Sequence, residues 1–179
     1  MKTTYLYHHG VKGMKWGIRK KRYEHSDKKF HTERMVIKTK TGETLSITEN
    51  KTPEFTRALA KVSPKIRNRL EMSKICTIRD KNGKRIGDLD VFKESKDSLN
   101  VVWIGVDDAN RGKGYATAVM KGVTKFAKSN GLKRITLEVP GNSPDARHIY
   151  EKEGFVVGAE ITNDDDIWGG LTRMTKRLD

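Results

Sequence analysis

The chain has 179 residues, enough for one domain with a buried core and a tail. Its 37 Lys and Arg outweigh 23 Asp and Glu, a formal net charge of +14, and the excess is uneven: positions 1–40 hold 12 basic and 3 acidic side chains, whereas 41–179 hold 25 and 20. A single cysteine excludes an intrachain disulfide, no apolar run reaches membrane-spanning length, and no apolar stretch follows the first lysine as a secretion signal requires. The reading is a soluble protein of a reducing, cytoplasmic compartment with no membrane partner.

Positions 1–30 read as a basic, flexible N-terminal tail. Tyr5-Leu-Tyr-His-His-Gly-Val-Lys-Gly-Met-Lys-Trp-Gly-Ile-Arg-Lys-Lys-Arg22 mixes aromatic, glycine and basic residues with no helical or strand period. His8 and His9 are adjacent with no cysteine near them, so no metal site is expected. Two readings stay open: nucleic-acid binding by charge and stacking, or a solvated linker or docking peptide. The wording His9-Gly-Val-Lys-Gly-Met-Lys-Trp-Gly-Ile-Arg19 resembles a short motif of phage virion-associated and capsid-region proteins. That resemblance implies a phage-encoded protein in a bacterial host, attached to a phage particle.

Positions 31–52 read as a β-hairpin, with Met35-Val-Ile-Lys-Thr-Lys40 and Glu43-Thr-Leu-Ser-Ile-Thr48 flanking Thr41-Gly42. Pro53 marks a helix start with Thr52 as its cap. Phe55, Leu59, Val62, Ile66 and Leu70 form a helical stripe expected to be a core face, broken at Pro64 into two helices. Lys61, Lys65, Arg67 and Arg69 then belong to the solvated face. Three strands follow in a meander, over 75–78, 85–92 and 99–106, turning at Asp80-Lys-Asn-Gly83 and at 95–98. Cys76 lies in apolar alternation without a nearby histidine or carboxylate at useful spacing, and reads as a small buried residue rather than a nucleophile.

The third strand runs into Asp107-Asp-Ala-Asn-Arg-Gly-Lys-Gly114, after which Ala116, Val119, Met120, Val123, Phe126 and Ala127 recur at helical spacing. A strand, a turn with two glycines and a helix start together suit an anion. The backbone passes close to a ligand without a Cβ, helix amides face it, and Arg111 and Lys113 add positive charge. The spacing is neither that of a dinucleotide fingerprint nor that of a nucleotide-hydrolysing loop, so the reading is a pyrophosphate-binding turn of another kind.

Asn130-Gly131 stops that helix. A strand over 134–139 ends at Pro140-Gly141. Asn142, Ser143 and Asp145 offer caps for a helix over 146–153, closed by Gly154. Strands over 155–161 and 167–174 flank a turn at Asp164-Asp-Asp166, which holds too few ligands for calcium. The expected fold is α/β (α+β), a mixed, largely antiparallel sheet flanked by helices.

Two stretches carry a family resemblance. Arg111-Gly-Lys-Gly-Tyr-Ala116 resembles the Arg/Gln-x-x-Gly-x-Gly/Ala motif of the GNAT superfamily of N-acetyltransferases. Leu137-Glu-Val139, Ala146, Tyr150-Glu-Lys152 and Gly154-Phe155 resemble its second signature, in the same order and on the expected elements. The resemblance implies a GNAT-like domain over 53–179 and acetyl-CoA as cofactor. It places the pyrophosphate on Arg111, Gly112, Lys113, Gly114, Tyr115 and Ala116, and the acetyl carbonyl beside the backbone of Ile104 and Val106. It puts Tyr150 at the family's proton donor to the departing sulfur. Glu138, twelve residues earlier, matches the base of bacterial acetyltransferases that modify ribosomal-protein N-termini; His148 is a further candidate base. One departure stands out: the family's cofactor-arm Asn is replaced by Ser143, with Asn142 one residue early.

Two functions follow from these readings. One is an acetyl-CoA-dependent N-acetyltransferase acting on an amine of a protein or small molecule. The other is a non-catalytic GNAT-like module of a phage virion or capsid-associated protein.

Overall fold

A computed structural model describes residues 34–161 and 169–179. Within them eight strands form one sheet: β1 (Met35–Lys38), β2 (Thr44–Glu49), β3 (Ser73–Arg79), β4 (Arg85–Ser95), β5 (Ser98–Val106), β6 (Arg134–Pro140), β7 (Val156–Ile161) and β8 (Leu171–Arg177). Their order is β1-β2-β3-β4-β5-β6-β8-β7. Every neighbouring pair is antiparallel except β5 and β6. Among the described residues four helices accompany the sheet: α1 (Glu54–Val62), α2 (Pro64–Met72), α3 (Tyr115–Ser129) and α4 (Pro144–Lys152). This is the mixed, largely antiparallel α/β fold expected from the sequence, and the hairpin β1–β2 forms its first two strands.

The two faces of the sheet differ in chemistry. On one face Val91, Val101, Leu137 and Met174 stand opposite one another across four strands, all at most 5 % exposed. Helix α3 lays Val119, Met120, Val123 and Ala127 on this side. Each of these valine, leucine and methionine side chains contributes about 1.5–3 kcal/mol by leaving water. Gly122 brings α3 against β1, since a Cβ there would stand 2.7 Å from Ile37 Cγ2. Period-two alternation puts the other set on the opposite face: Asp88, Asp90, Phe92 and Glu94 of β4, Asn100 and Trp103 of β5, Thr136 and Glu138 of β6, Arg173 and Thr175 of β8.

The largest departure from expectation concerns the first two helices. The stripe on α1 and α2 is not a core face. Neither helix buries a residue, and Phe55 and Val62 are 75 % and 80 % exposed. Leu59, Ile66 and Leu70 are half-buried. Amphipathic spacing records that a helix has an apolar side; it does not supply a matching surface, and α1 packs chiefly against α2. Lys61, Lys65, Arg67 and Arg69 are exposed as read.

Smaller corrections concern boundaries. Pro53 itself occupies the cap position of α1, with no side-chain cap bond, so Thr52 is not the cap. Ser63 caps α2 through its Oγ, accepting from the Ile66 amide. Helix α4 begins two residues early because Pro144 fits its first turn. The last strand begins at Leu171 rather than 167, where pairing with Pro140 of β6 starts. The tail at 1–30 and the Asp164–Asp166 turn lie outside the described residues.

The site is positioned by a fork. Strands β5 and β6 pair only from Ser98 with Arg134 to Val101 with Leu137. On its other side β5 skips one residue against β4, passing from Val101 opposite Val91 to Trp103 opposite Asp90. Val102 is thus a bulge, and a bulge bends the strand that carries it. Beyond it β5 continues with β4 to Val106, and β6 continues with β8 to Pro140.

Candidate active site

The fork exposes one edge of β5. The Asp107 amide donates to the Ile86 carbonyl at 2.9 Å. By alternation the N–H groups of Ile104 and Val106 point away from β4, into the fork. The Val106 carbonyl agrees, accepting from Arg111 Nε at 3.4 Å. The side chains of Ile104 and Val106 remain in the core at 3 % and 8 % exposed. These two residues therefore offer backbone donors and no side-chain chemistry.

Past Val106 a short 3₁₀ turn (Asp108–Asn110) leads to Arg111 and the two glycines. Gly112 and Gly114 both sit at φ +75°, where a Cβ clashes with the backbone, and nothing lies within 4 Å of where either Cβ would stand. The turn is bent by glycine and open to a ligand. The first helical bond of α3 runs from the Ala118 amide to Gly114. The amides ahead of it, those of Tyr115 and Ala116 included, have no acceptor within the helix and no side-chain cap. Arg111 pairs with Asp108 at 2.7 Å, and Lys113 Nζ donates to Asn110 Oδ1 at 3.2 Å. Both cations stay tethered beside the helix start.

Tyr115 carries a contact that the sequence did not disclose. Its ring is buried, and its hydroxyl donates to Glu43 Oε2 at 2.6 Å, from the turn between β1 and β2. The Glu43 hydrogen bond, with burial behind it, pushes the phenol up to about 12. The hairpin is thus pinned to the glycine turn, and what Tyr115 offers an anion is its backbone amide.

Across the fork, β6 ends at Pro140 and Gly141. The Gly141 amide donates to the Gly170 carbonyl at 2.9 Å, and a Cβ at Gly141 would strike the Gly169 carbonyl. Asn142 is exposed, whereas Ser143 is 5 % exposed, with its Oγ donating to Asn142 Oδ1 at 3.4 Å. On α4, Ala146 and Tyr150 face the core and His148 faces solvent. Tyr150 is 2 % exposed and meets Phe155 edge-on at 5.8 Å between centroids. Burial raises its phenol well above the ordinary tyrosine value, so it stays protonated at neutral pH.

Glu138 lies on the polar face, half-buried, with Arg173 Nη1 at 3.6 Å. Arg173 also donates through Nη2 to Glu94 of β4. Glu94 accepts further bonds from Ser98 Oγ at 3.2 Å and Thr136 Oγ1 at 3.1 Å. Burial pushes the Glu94 carboxyl up, but Arg173 and the two hydroxyls outweigh it and hold the group below its usual value. Glu94 and Arg173 were missed by sequence reasoning. The alternation Asp88, Asp90, Glu94 along one strand was the signal that could have shown an acidic face. Cys76 is buried, and burial pushes its thiol up to about 12, which rules out a resting thiolate.

Comparison with known proteins supplies the context. A model of the acetyltransferase (GNAT) family matches residues 46–155, and a family of unknown function matches residues 3–23. An uncharacterized N-acetyltransferase YycN of Bacillus subtilis is 35 % identical over 51 residues, which is 28 % of this chain and 33 % of the relative. The chain thus aligns with about a third of that relative's length. A GNAT acetyltransferase from Elizabethkingia anophelis with acetyl-CoA bound aligns over 75 % of this chain and 98 % of its own, at 18 % identity and a TM-score of 0.57. Spermidine N-acetyltransferase from Vibrio cholerae, in complex with CoA and spermine, aligns over 75 % and 95 %, at 17 % identity and a TM-score of 0.59. These two structures share the fold, and the family match extends over most of the described sheet and the glycine turn: the chain belongs to the acetyltransferase (GNAT) family, whose acyl donor is acetyl-CoA.

Proposed function

We propose that the protein transfers an acetyl group from acetyl-CoA to an amine, with the fork between β5 and β6 as the place of transfer. The observation that carries this reading is the junction of that fork with an open turn of two left-handed glycines. The turn fits a pyrophosphate: its amides lack helical acceptors, no side chain fills it, and Arg111 and Lys113 flank it. When bound, acetyl-CoA supplies an activated thioester. The amides from Gly112 to Ala116 hold its phosphates, with Asn142 and Ser143 beside its arm. The Ile104 and Val106 amides polarise the acyl carbonyl. Glu138 Oε takes the proton that an amine must lose to expose its lone pair, and the Tyr150 hydroxyl donates to the departing sulfur.

The acceptor reading follows from charge. Asp88, Asp90, Glu94 and Glu138 share the face onto which the fork opens. A cationic amine suits that face, and spermidine, the substrate named for a neighbour in fold, is the first to try. The test is a thermal melt with acetyl-CoA, then thiol release across spermidine, a lysine peptide and other amines. A rise in melting temperature with turnover of at least one amine is expected. Absence of any shift overturns the reading; a shift without turnover on any amine favours the non-catalytic module.

We also propose that the segment before β1 is a docking peptide for a phage particle. The reading rests on the motif from His9 to Arg19, with its resemblance to phage virion-associated proteins; the match over residues 3–23 is to a family of unknown function. Removing residues 1–30 should leave the melt and the acetyl-CoA shift unchanged while abolishing co-sedimentation with particles. Loss of the cooperative melt would overturn the division.

A further inference from the structure

We infer that Arg173 is a positioning residue for the transfer step: anchored on Glu94 of β4, it holds the Glu138 carboxylate at the fork. This inference rests on the proposed role of Glu138.

Arg173 and Glu138 are direct register partners on β8 and β6, so their side chains leave the same face side by side. Glu94 lies on β4, with β5 and β6 between it and β8. Neighbouring strands stand about 4.8 Å apart, so an interaction between Glu94 and Arg173 has to cross roughly 14 Å of sheet. Both side chains lie along the face to meet there. The guanidinium fork then divides its donors, Nη2 to Glu94 and Nη1 toward Glu138 at 3.6 Å.

The anchor end is over-determined. Glu94 takes donors from Ser98, Thr136 and Arg173, and Thr136 Oγ1 in turn accepts from Asn100 Nδ2 at 3.0 Å. Asn100 and Thr136 are partners in the paired half of β5 and β6, one pair before the last. The belt therefore ties β4, β5, β6 and β8 together at the root of the fork. Glu138 is one residue beyond the last β5–β6 pair. It is placed at the opening, and Arg173 links it to the fixed part of the sheet. A misplacement of about 1 Å at a reacting group costs up to about 10²-fold in rate, and that is the quantity such a link protects.

The test is a double-mutant cycle with Arg173→Met and Glu138→Gln, read as thiol released from acetyl-CoA with spermidine, and without amine, where water is the acceptor. Arg173→Met should lower kcat by about ten- to a hundredfold and leave KM for acetyl-CoA unchanged, because the glycine turn is untouched. In the Glu138→Gln background the same change should cause no further loss. Arg173→Lys, which keeps the charge, should recover part of the rate. A loss from Arg173→Met that multiplies onto that of Glu138→Gln overturns the positioning role while leaving the base intact. Glu138→Gln at the wild-type rate overturns the base, and the positioning role with it, whatever Arg173 does. Should Arg173→Met melt without cooperativity, Glu94→Gln replaces it: loss of rate only in the presence of Glu138 supports the inference, and a wild-type rate overturns it.

Discussion

The two faces of the sheet divide the work of the molecule. The α3 face is a continuous apolar layer in which Leu99, Ile135, Leu137, Val119, Met120 and Met174 have no exposed surface. The other face carries four carboxylates, an arginine and a tryptophan, and helices α1 and α2 bury nothing fully. A half-polar sheet is stable because one side supplies enough burial for both. That leaves the second side free to hold groups that cost stability and do chemistry.

Tyr150 is where this division should break most visibly. It packs within the apolar cluster, yet its hydroxyl is the proposed donor to sulfur. Tyr150→Phe keeps the ring against Phe155 and removes one oxygen. Turnover should fall by roughly 10²–10⁴, with the melt and the acetyl-CoA shift retained. Steady-state kinetics on a folded variant decides this, and a wild-type kcat would return Tyr150 to the core alone.

Truncations on the two faces sharpen the contrast. Leu137→Ala should cost about 2–5 kcal/mol by urea denaturation, as a buried leucine leaves a cavity. Val62→Ala, at 80 % exposure, should change stability by no more than about 0.5 kcal/mol. Equal costs would mean that α1 is covered in solution.

Gly114→Asp tests the seam between faces. At φ +75° any side chain is strained, and a carboxylate would meet the phosphates. The variant should lose the acetyl-CoA stabilisation, about 2.7 kcal/mol at a hundredfold excess over Kd. An undiminished thermal shift would place the pyrophosphate elsewhere.

How much of this was legible in the sequence follows from the range of each interaction. The strands of the meander, the glycine turn and α3 announce themselves within a few residues, through alternation, Gly112 and Gly114, and 3.6-residue spacing. The fork does not, because it depends on where a parallel pairing between segments some 36 residues apart stops, as at Asn100 and Thr136. Glu43 reaches Tyr115 over 72 positions, and Glu94 reaches Arg173 over 79. No local pattern encodes such pairs. The exposure of Phe55 and Val62 was illegible for a related reason: a helix's own pattern does not say which neighbour it meets, and α1 meets chiefly α2.

A smaller effect is the most direct measure of what the polar face costs. Asp90 Oδ1 is buried without a hydrogen-bond partner among the described residues. Burial first, and the neighbouring charge of Asp88 second, push its carboxyl from 3.8 up to about 6. Between those values the folded chain holds a proton that the unfolded chain has released. Unfolding then releases protons, so stability falls as pH rises through this window and levels off above about 6. The penalty is in force at neutral pH, and solvent screening of this half-exposed group limits it to about 1 kcal/mol. Asp90→Asn removes the charge at nearly constant shape. It should stabilise the protein by that amount in urea melts at pH 7, have no effect near pH 4, and flatten the decline between. A variant less stable than wild type at pH 7 would show that the Asp90 charge supports the polar face instead of straining it.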